Sequence, residues 1–249
     1  MKAGRLCFGI GCAILAMGMQ SCALSDAPAA PTAAATPEAV LGGLRPVTPA
    51  MLRDPAPGDW LQWGRTYDGQ NFSPLSRINR DNVKSLAQAW RTPIKGGLSM
   101  PTPIVHDGAM FLQTSPDTVL ALNAATGEVL WRHEHALAKG VSSTMKMGLA
   151  LSGGLVIVPT SDVHVIALNA KTGATAWDHA IEIRPPAVMS TTLGLRSAPL
   201  IVGDKVIQGV TTSFVAGGGF IVALDIKTGS ELWRFNTIPR PGEPGGETW

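Results

Sequence analysis

Apolar residues in this chain come in short runs, each cut off by Gly, Asn or Asp. Ile104-Val105 leads into His106-Asp107-Gly108 and then Ala109 to Leu112. Leu149 to Leu151 leads into Ser152-Gly153-Gly154 and then Leu155 to Val158. Pro199 to Val202 leads into Gly203-Asp204 and then Lys205 to Ile207. Such runs, joined by turns of two or three residues that contain Gly, predict β-hairpins. A second hairpin follows each one. Val119–Leu122 is a strand, Asn123–Gly127 a turn with Gly127 free to take positive φ, and Glu128–Trp131 the returning strand; Val165–Trp177 and Ile221–Trp233 repeat it. Two successive hairpins make a four-stranded antiparallel sheet. Helices are excluded here because Gly turns interrupt the β-branched runs every four to six residues.

The second hairpins align without gaps. Ala121 to Trp131, Ala167 to Trp177 and Ala223 to Trp233 share the pattern Ala-x-Asp/Asn-x-x-Thr-Gly-x-x-x-Trp. They recur after 46 residues (121 to 167) and 56 residues (167 to 223). A shared motif at this kind of period marks a repeat architecture, and a repeated four-stranded sheet is the blade of a β-propeller. The pattern resembles the tryptophan-docking motif of quinoprotein propellers, in which the Trp of one blade packs on the motif of the next. The resemblance implies a structural docking role, not cofactor stacking, for Trp131, Trp177 and Trp233, with Trp90 in Leu86-Ala-Gln-Ala-Trp90 as a fourth.

Composition narrows the picture further. At 45% hydrophobic and 15% charged, the 249 residues can build a core, and a net charge of +2 selects no partner. No basic run or aromatic–basic stripe points to nucleic acid. The three cysteines, Cys7, Cys12 and Cys22, all lie in the first 22 residues, so the repeats hold neither disulfides nor a Cys metal site. Lys2 and Arg5 precede an uncharged apolar run from Leu6 to Met19, too short for a comfortable membrane span and fitting a signal peptide over residues 1–21. Met19-Gln20-Ser21-Cys22 resembles a bacterial lipobox, which implies acylation of Cys22 and an envelope lipoprotein; an ordinary signal peptide cut after Ala23 is the alternative. Residues 22–47 are rich in Ala and Pro and read as a flexible tether. Thr48-Pro49 starts a short helix, and residues 48–249 are the folded part.

Two further stretches place the propeller in one branch. Trp60-Leu-Gln-Trp63-Gly-Arg-Thr-Tyr67 through Leu75, with Ile78-Asn79-Arg-Asp-Asn82, closely resembles the lead-in of the methanol/ethanol type pyrroloquinoline quinone (PQQ) dependent alcohol dehydrogenases. Thr237 to Trp249 resembles a later loop of that family. The resemblance implies an all-β, eight-bladed fold of which three to four blades are present. It implies PQQ and Ca²⁺ on the central axis, a periplasmic location, a small alcohol (or aldehyde or sugar) as substrate, and a cytochrome c as electron acceptor. The general base, the ring-stacking Trp and the second Ca²⁺ carboxylate are expected beyond residue 249. The chain alone is expected to be inactive.

At the family's cofactor positions several residues depart from the pattern. Met100 stands where a Glu is expected, Ser142-Ser143 near a vicinal Cys pair, and Met147 where an Arg faces the quinone oxygens. Arg196 lies near an expected Thr and can pair with a PQQ carboxylate. Thr211, Thr212 and Ser213 occupy the stretch that gives backbone contacts, and Phe214 the Ca²⁺-ligand position, which its side chain cannot serve. Two function classes stay open: a PQQ dehydrogenase with altered contacts, and a propeller without cofactor acting as a binding or assembly scaffold in the cell envelope.

The five histidines show no metal spacing. His133 and His135 read as an exposed strand end, and Asp162 with His164 as a solvated turn entering a strand. Gly217-Gly218-Gly219 lacks the helix and Lys-Ser/Thr of a phosphate loop and reads as a close crossing near the axis.

Overall fold

A computed structural model of the chain describes residues 35–145, 147–183, 194–211 and 218–248. Three four-stranded antiparallel sheets follow one another along the chain. Blade 1 comprises β1 (Ile104–His106), β2 (Ala109–Thr114), β3 (Thr118–Asn123) and β4 (Val129–Glu134). Blade 2 comprises β5 (Ala150–Ser152), β6 (Leu155–Pro159), β7 (His164–Asn169) and β8 (Thr175–Ala180). Blade 3 comprises β9 (Leu200–Val202), β10 (Lys205–Val210), β11 (Phe220–Asp225) and β12 (Glu231–Asn236). In each sheet the strands lie side by side in chain order, as two successive hairpins require. β5 and β9 neighbour one another, so the innermost strands gather along one axis.

The third strand of each blade is buried almost from end to end, and the fourth strand is largely exposed. The pattern of a propeller wedge is thus written in burial as well as in hydrogen bonding.

The repeated motif works the same way three times. Gly127, Gly173 and Gly229 take φ of 73°, 72° and 74°, and each donates its N–H to the Asn or Asp four residues back, at 2.8, 2.8 and 2.9 Å. The side-chain oxygen of Asn123, Asn169 or Asp225 accepts from the backbone N–H two residues on at 2.9 Å, which sets the turn. A bulge follows Ala121, Ala167 and Ala223 in turn. Over each Gly lies the indole of the preceding unit: Trp90 over Gly127, Trp131 over Gly173, Trp177 over Gly229. A Cβ on these glycines would sit 2.3, 2.7 and 2.6 Å from the indole. The indole N–H then donates to a turn carbonyl, Trp90 to Ala124 at 3.1 Å, Trp131 to Ala170 at 2.9 Å and Trp177 to Ile226 at 3.1 Å. Only Gly allows a ring this close to the backbone, which is why Thr-Gly and Trp recur together. Trp233 is 43% exposed.

Residues 36–47, assigned by composition to the flexible tether, are instead packed. Thr36 caps α1 (Pro37–Gly43), as Thr48 caps α2 (Pro49–Arg53), each with Pro at the helix start. Val40, Leu44 and Val47 are buried in the core, with Leu52 of α2. Val47 exchanges backbone hydrogen bonds with Gly153 of blade 2, Asn123 of blade 1 donates to the Ala35 carbonyl, and Lys171 of blade 2 donates to Gly42. The segment therefore straps blades 1 and 2 together. Alanine and proline dominate its composition, but Val40 of the helix, Leu44 at its C-cap and Val47 in a bridge to Gly153 are buried. Residues 1–21, expected from the sequence to be a signal peptide, and Cys22 lie outside the described residues. Among the described residues no helix is long and apolar enough to cross a membrane.

Candidate functional site at the propeller axis

After α2 the chain turns inward. Trp60 forms a two-way bridge to Val105 of β1, and Tyr67 donates its hydroxyl to the Ile201 carbonyl of β9 at 2.7 Å. The stretch from Trp60 to Gly69 thereby runs from the inner strand of blade 1 to that of blade 3. Its turns need Arg65 at φ 69° and Gly69 at φ 63°, and the Arg65 guanidinium secures them by donating to the Pro55 and Ala56 carbonyls. Between this stretch and the segments leading into blades 2 and 3 lies a pocket of about 500 Å³. Trp63, Tyr67, Met147, Arg196, Ser197 and Leu200 form its walls.

Among the described residues the pocket lining is mainly apolar with one cation. Arg196 is exposed to it, and no hydrogen bond ties its guanidinium to a described residue. Asp68 is the carboxylate of the lining. Hydrogen bonds from Thr66 and Gln70 hold its carboxyl below the usual range, so it stays ionised. Burial pushes the Tyr67 hydroxyl up, so it remains a neutral donor. Gln208, fully buried behind the wall, donates through Nε2 to the Gly209 carbonyl at 3.0 Å and to Ser197. Two of these partners are backbone carbonyls, which only accept, so the amide orientation is fixed.

Two of the residues singled out in the sequence, Met147 and Arg196, meet in this pocket. Thr211 is not among the lining residues; its backbone pairs in both directions with Gly194, at 3.1 and 3.0 Å, and so anchors the chain just before Arg196. Thr212, Ser213, Phe214 and Trp249 lie outside the described residues. Met100 is 65% exposed and is not part of the lining. Ser143 bonds Ser115 at 3.2 Å between their hydroxyls, at the end of the blades opposite the strap. Sequence reasoning did not find Trp63 or Tyr67 as wall residues, nor Gln208 behind the wall, since each is brought there by a loop or a neighbouring strand.

The reading of His135 as an exposed strand end is corrected. His135 at the end of blade 1 meets Asp162 of blade 2, Nε2 lying 2.9 Å from both carboxylate oxygens, and both side chains are largely buried. His164 packs beside it, ring centroids 5.7 Å apart, and its Nδ1 lies 2.7 Å from Asp178. Through His135 and Asp162 the turn is a polar seam between blades 1 and 2. Burial raises the Asp162 carboxyl, but hydrogen bonds from Thr160 and His135 outweigh it and leave the value lowered. One cluster among the described residues, Asp59, His106 and Asp107, has metal-like proximity, but the Arg45 guanidinium already serves as its cation.

Comparison with known proteins bears on these features. Residues 60–249 match the family model for PQQ, glucose/ethanol/alcohol dehydrogenase, β-propeller domain. The chain is 38% identical over 216 residues to the quinohemoprotein alcohol dehydrogenase ADH IIB of Pseudomonas putida, covering 84% of this chain and 30% of that enzyme. It is 33% identical over 189 residues to the cytochrome c methanol dehydrogenase subunit 1 of Methylorubrum extorquens, covering 71% and 30%. The solved quinohemoprotein alcohol dehydrogenase of Comamonas testosteroni superposes with a TM-score of 0.71 at 30% identity, over 84% of this chain and 32% of that one. The chain thus spans about 30% of the length of these relatives. With residues 60–249 matching the family model, the chain belongs to the PQQ β-propeller family of glucose, ethanol and alcohol dehydrogenases.

Proposed function

We propose that this chain is the N-terminal part of a periplasmic PQQ- and Ca²⁺-dependent alcohol dehydrogenase and forms one wall of its cofactor chamber. The carrying observation is Arg196, a guanidinium without a described side-chain partner, presented to a largely apolar axial pocket of about 500 Å³. That donor set fits a carboxylate on a flat aromatic body. It fits PQQ on its carboxylate side, with Arg196 as the holding residue and Trp63 and Tyr67 as apolar cover. Met147 offers a thioether where a donor would be needed against the quinone oxygens, so this wall binds without polarising. When bound, PQQ supplies a two-electron acceptor for the alcohol's hydride.

Asp68, the carboxylate of the described lining, is tied up by Thr66 and Gln70 and is not assigned as the general base, so the chain alone is not expected to turn over alcohol. Titration with PQQ and Ca²⁺ gives no saturable binding; tight binding to the isolated chain would refute that part. Met147 also favours the alternative, a propeller scaffold without cofactor. Envelope attachment through Cys22 belongs to the same proposal. A fatty-acid probe labels the wild type and not Cys22→Ser; equal labelling of the two removes the anchor.

A further inference from the structure

One buried amide breaks the repeat. In each blade the motif Ala of the third strand pairs with the same position of the second: Ala121 with Phe111, Ala167 with Ile157 and Ala223 with Ile207. The residue after each of these is therefore equivalent across the blades, and it is Leu112, Val158 and Gln208 in turn. Gln208 is fully buried, and its Oε1 has no hydrogen-bond partner among the described residues. An unpaired buried carbonyl is destabilising, and blades 1 and 2 show that an apolar side chain fills this position. The blade itself does not call for the amide.

The other end of the side chain shows what it does. Nε2 faces three acceptors: the Gly209 carbonyl at 3.0 Å, Ser197 Oγ at 3.3 Å and the Ser197 carbonyl at 3.4 Å. Ser197 follows Arg196 and lines the axial pocket with it. On the other side of Arg196, Gly194 exchanges backbone hydrogen bonds with Thr211, the residue after β10. The backbone of Arg196 is thus held on both sides. Its stem lies along Gly194, where a Cβ would sit 3.6 Å from Arg196 Cγ and 3.5 Å from Nε. No described residue bonds the guanidinium, so its place in the pocket is set by the backbone that carries it.

We propose that Gln208 is a positioning residue: through Ser197 it fixes the backbone of Arg196, and so holds the guanidinium where a carboxylate in the axial pocket can meet it. The carboxylate rests on the reading of this pocket as a cofactor wall; the grip of Gln208 on Ser197 does not. An Arg–carboxylate pair depends on planar, directed hydrogen bonds, so a loosened backbone lowers affinity while the charge stays in place.

Gln208→Leu, which gives blade 3 the residue that blade 1 carries, tests this in the full chain. Its urea midpoint stays at or above that of the wild type, because the unpaired oxygen is gone. Backbone ¹⁵N relaxation gives order parameters of about 0.85 at Arg196 and Ser197 in the wild type and below about 0.6 in the variant, with β11 near 0.85 in both. Unchanged values at Arg196 and Ser197 overturn the proposal. So does a failure of both Gln208→Leu and Gln208→Met to fold, since the amide would then serve the blade and not the pocket. For the ligand, PQQ binding is measured with residues 60–249 placed in the Pseudomonas putida relative. Gln208→Leu weakens it about tenfold when Arg196 is present and leaves it unchanged in Arg196→Gln; equal losses in the two backgrounds overturn the action through Arg196. A chimera that binds no PQQ refutes the cofactor reading, and the relaxation result then decides the positioning role by itself.

Discussion

Gly173→Ala probes the docking of one blade on the next. Gly173 has φ of 72°, and a Cβ there would lie 2.7 Å from Trp131 Cε3 and 2.9 Å from Cδ2. Trp131 is 9% exposed and cannot yield without leaving its pocket. Three costs follow. Alanine in the left-handed region costs about 1–2 kcal/mol. Breaking the 2.9 Å hydrogen bond from the indole to Ala170 costs about 1 kcal/mol. Re-exposing roughly 50 Å² of the indole adds about 1 kcal/mol at ~25 cal/mol per Å². The total is about 3–4 kcal/mol. Gly153→Ala is the control: φ there is 55°, but nothing lies within 4 Å of the added Cβ, so only the backbone term of about 1–2 kcal/mol applies. Urea unfolding monitored by Trp fluorescence measures both variants. Gly173→Ala should exceed Gly153→Ala by about 2 kcal/mol, the hydrogen-bond and burial terms together. Equal losses would show that the Trp131–Gly173 contact contributes nothing and would refute docking as the tie between blades.

Leu44→Ala, in the segment whose composition suggests a tether, should cost about 2–5 kcal/mol in urea unfolding, because Leu44 is 6% exposed in the core. Leu200→Ala, 45% exposed, should stay within about 0.5 kcal/mol, and the same small value for Leu44 would restore the tether. The Arg45 hydrogen bond holds the Asp107 carboxyl below its ordinary 3.8. Its contribution is complete above that value and lost as pH falls through the lower folded one. Asp107→Asn should therefore lose less stability than the wild type on going from about pH 5 to about pH 3; parallel acid limbs for the two proteins would contradict the assignment.

The docking system was legible because local backbone needs dictate it. A turn at φ near 70° demands Gly127, Gly173 and Gly229, and an Asx turn demands Asn123, Asn169 and Asp225, so the residues recur and align. The strap was not read, although its signal exists. Thr36-Pro37 has the same capping form as Thr48-Pro49, and the apolar Val40, Leu44 and Val47 follow it. An Ala- and Pro-rich background masked it. The pairing of His135 with Asp162 and the His106 cluster span 27 to 61 residues and arise from blade register, which no local pattern encodes. At the axis, Arg196 and Met147 were found through family resemblance. Trp63 and Tyr67 were recognised as part of the lead-in, but not as pocket walls, because a long crossing from blade 1 to blade 3 brings them there.

The role of this chain as a cofactor wall is best tested by grafting. Residues 60–249 would replace the matching segment of the Pseudomonas putida relative, and bound PQQ would be measured in the purified chimera by its absorbance. The chimera should fold and retain PQQ, and Arg196→Gln should weaken binding by about tenfold, the loss of one charge-assisted hydrogen-bonded pair. A folded chimera that holds no PQQ, or one that holds it equally well with Arg196→Gln, would contradict the account.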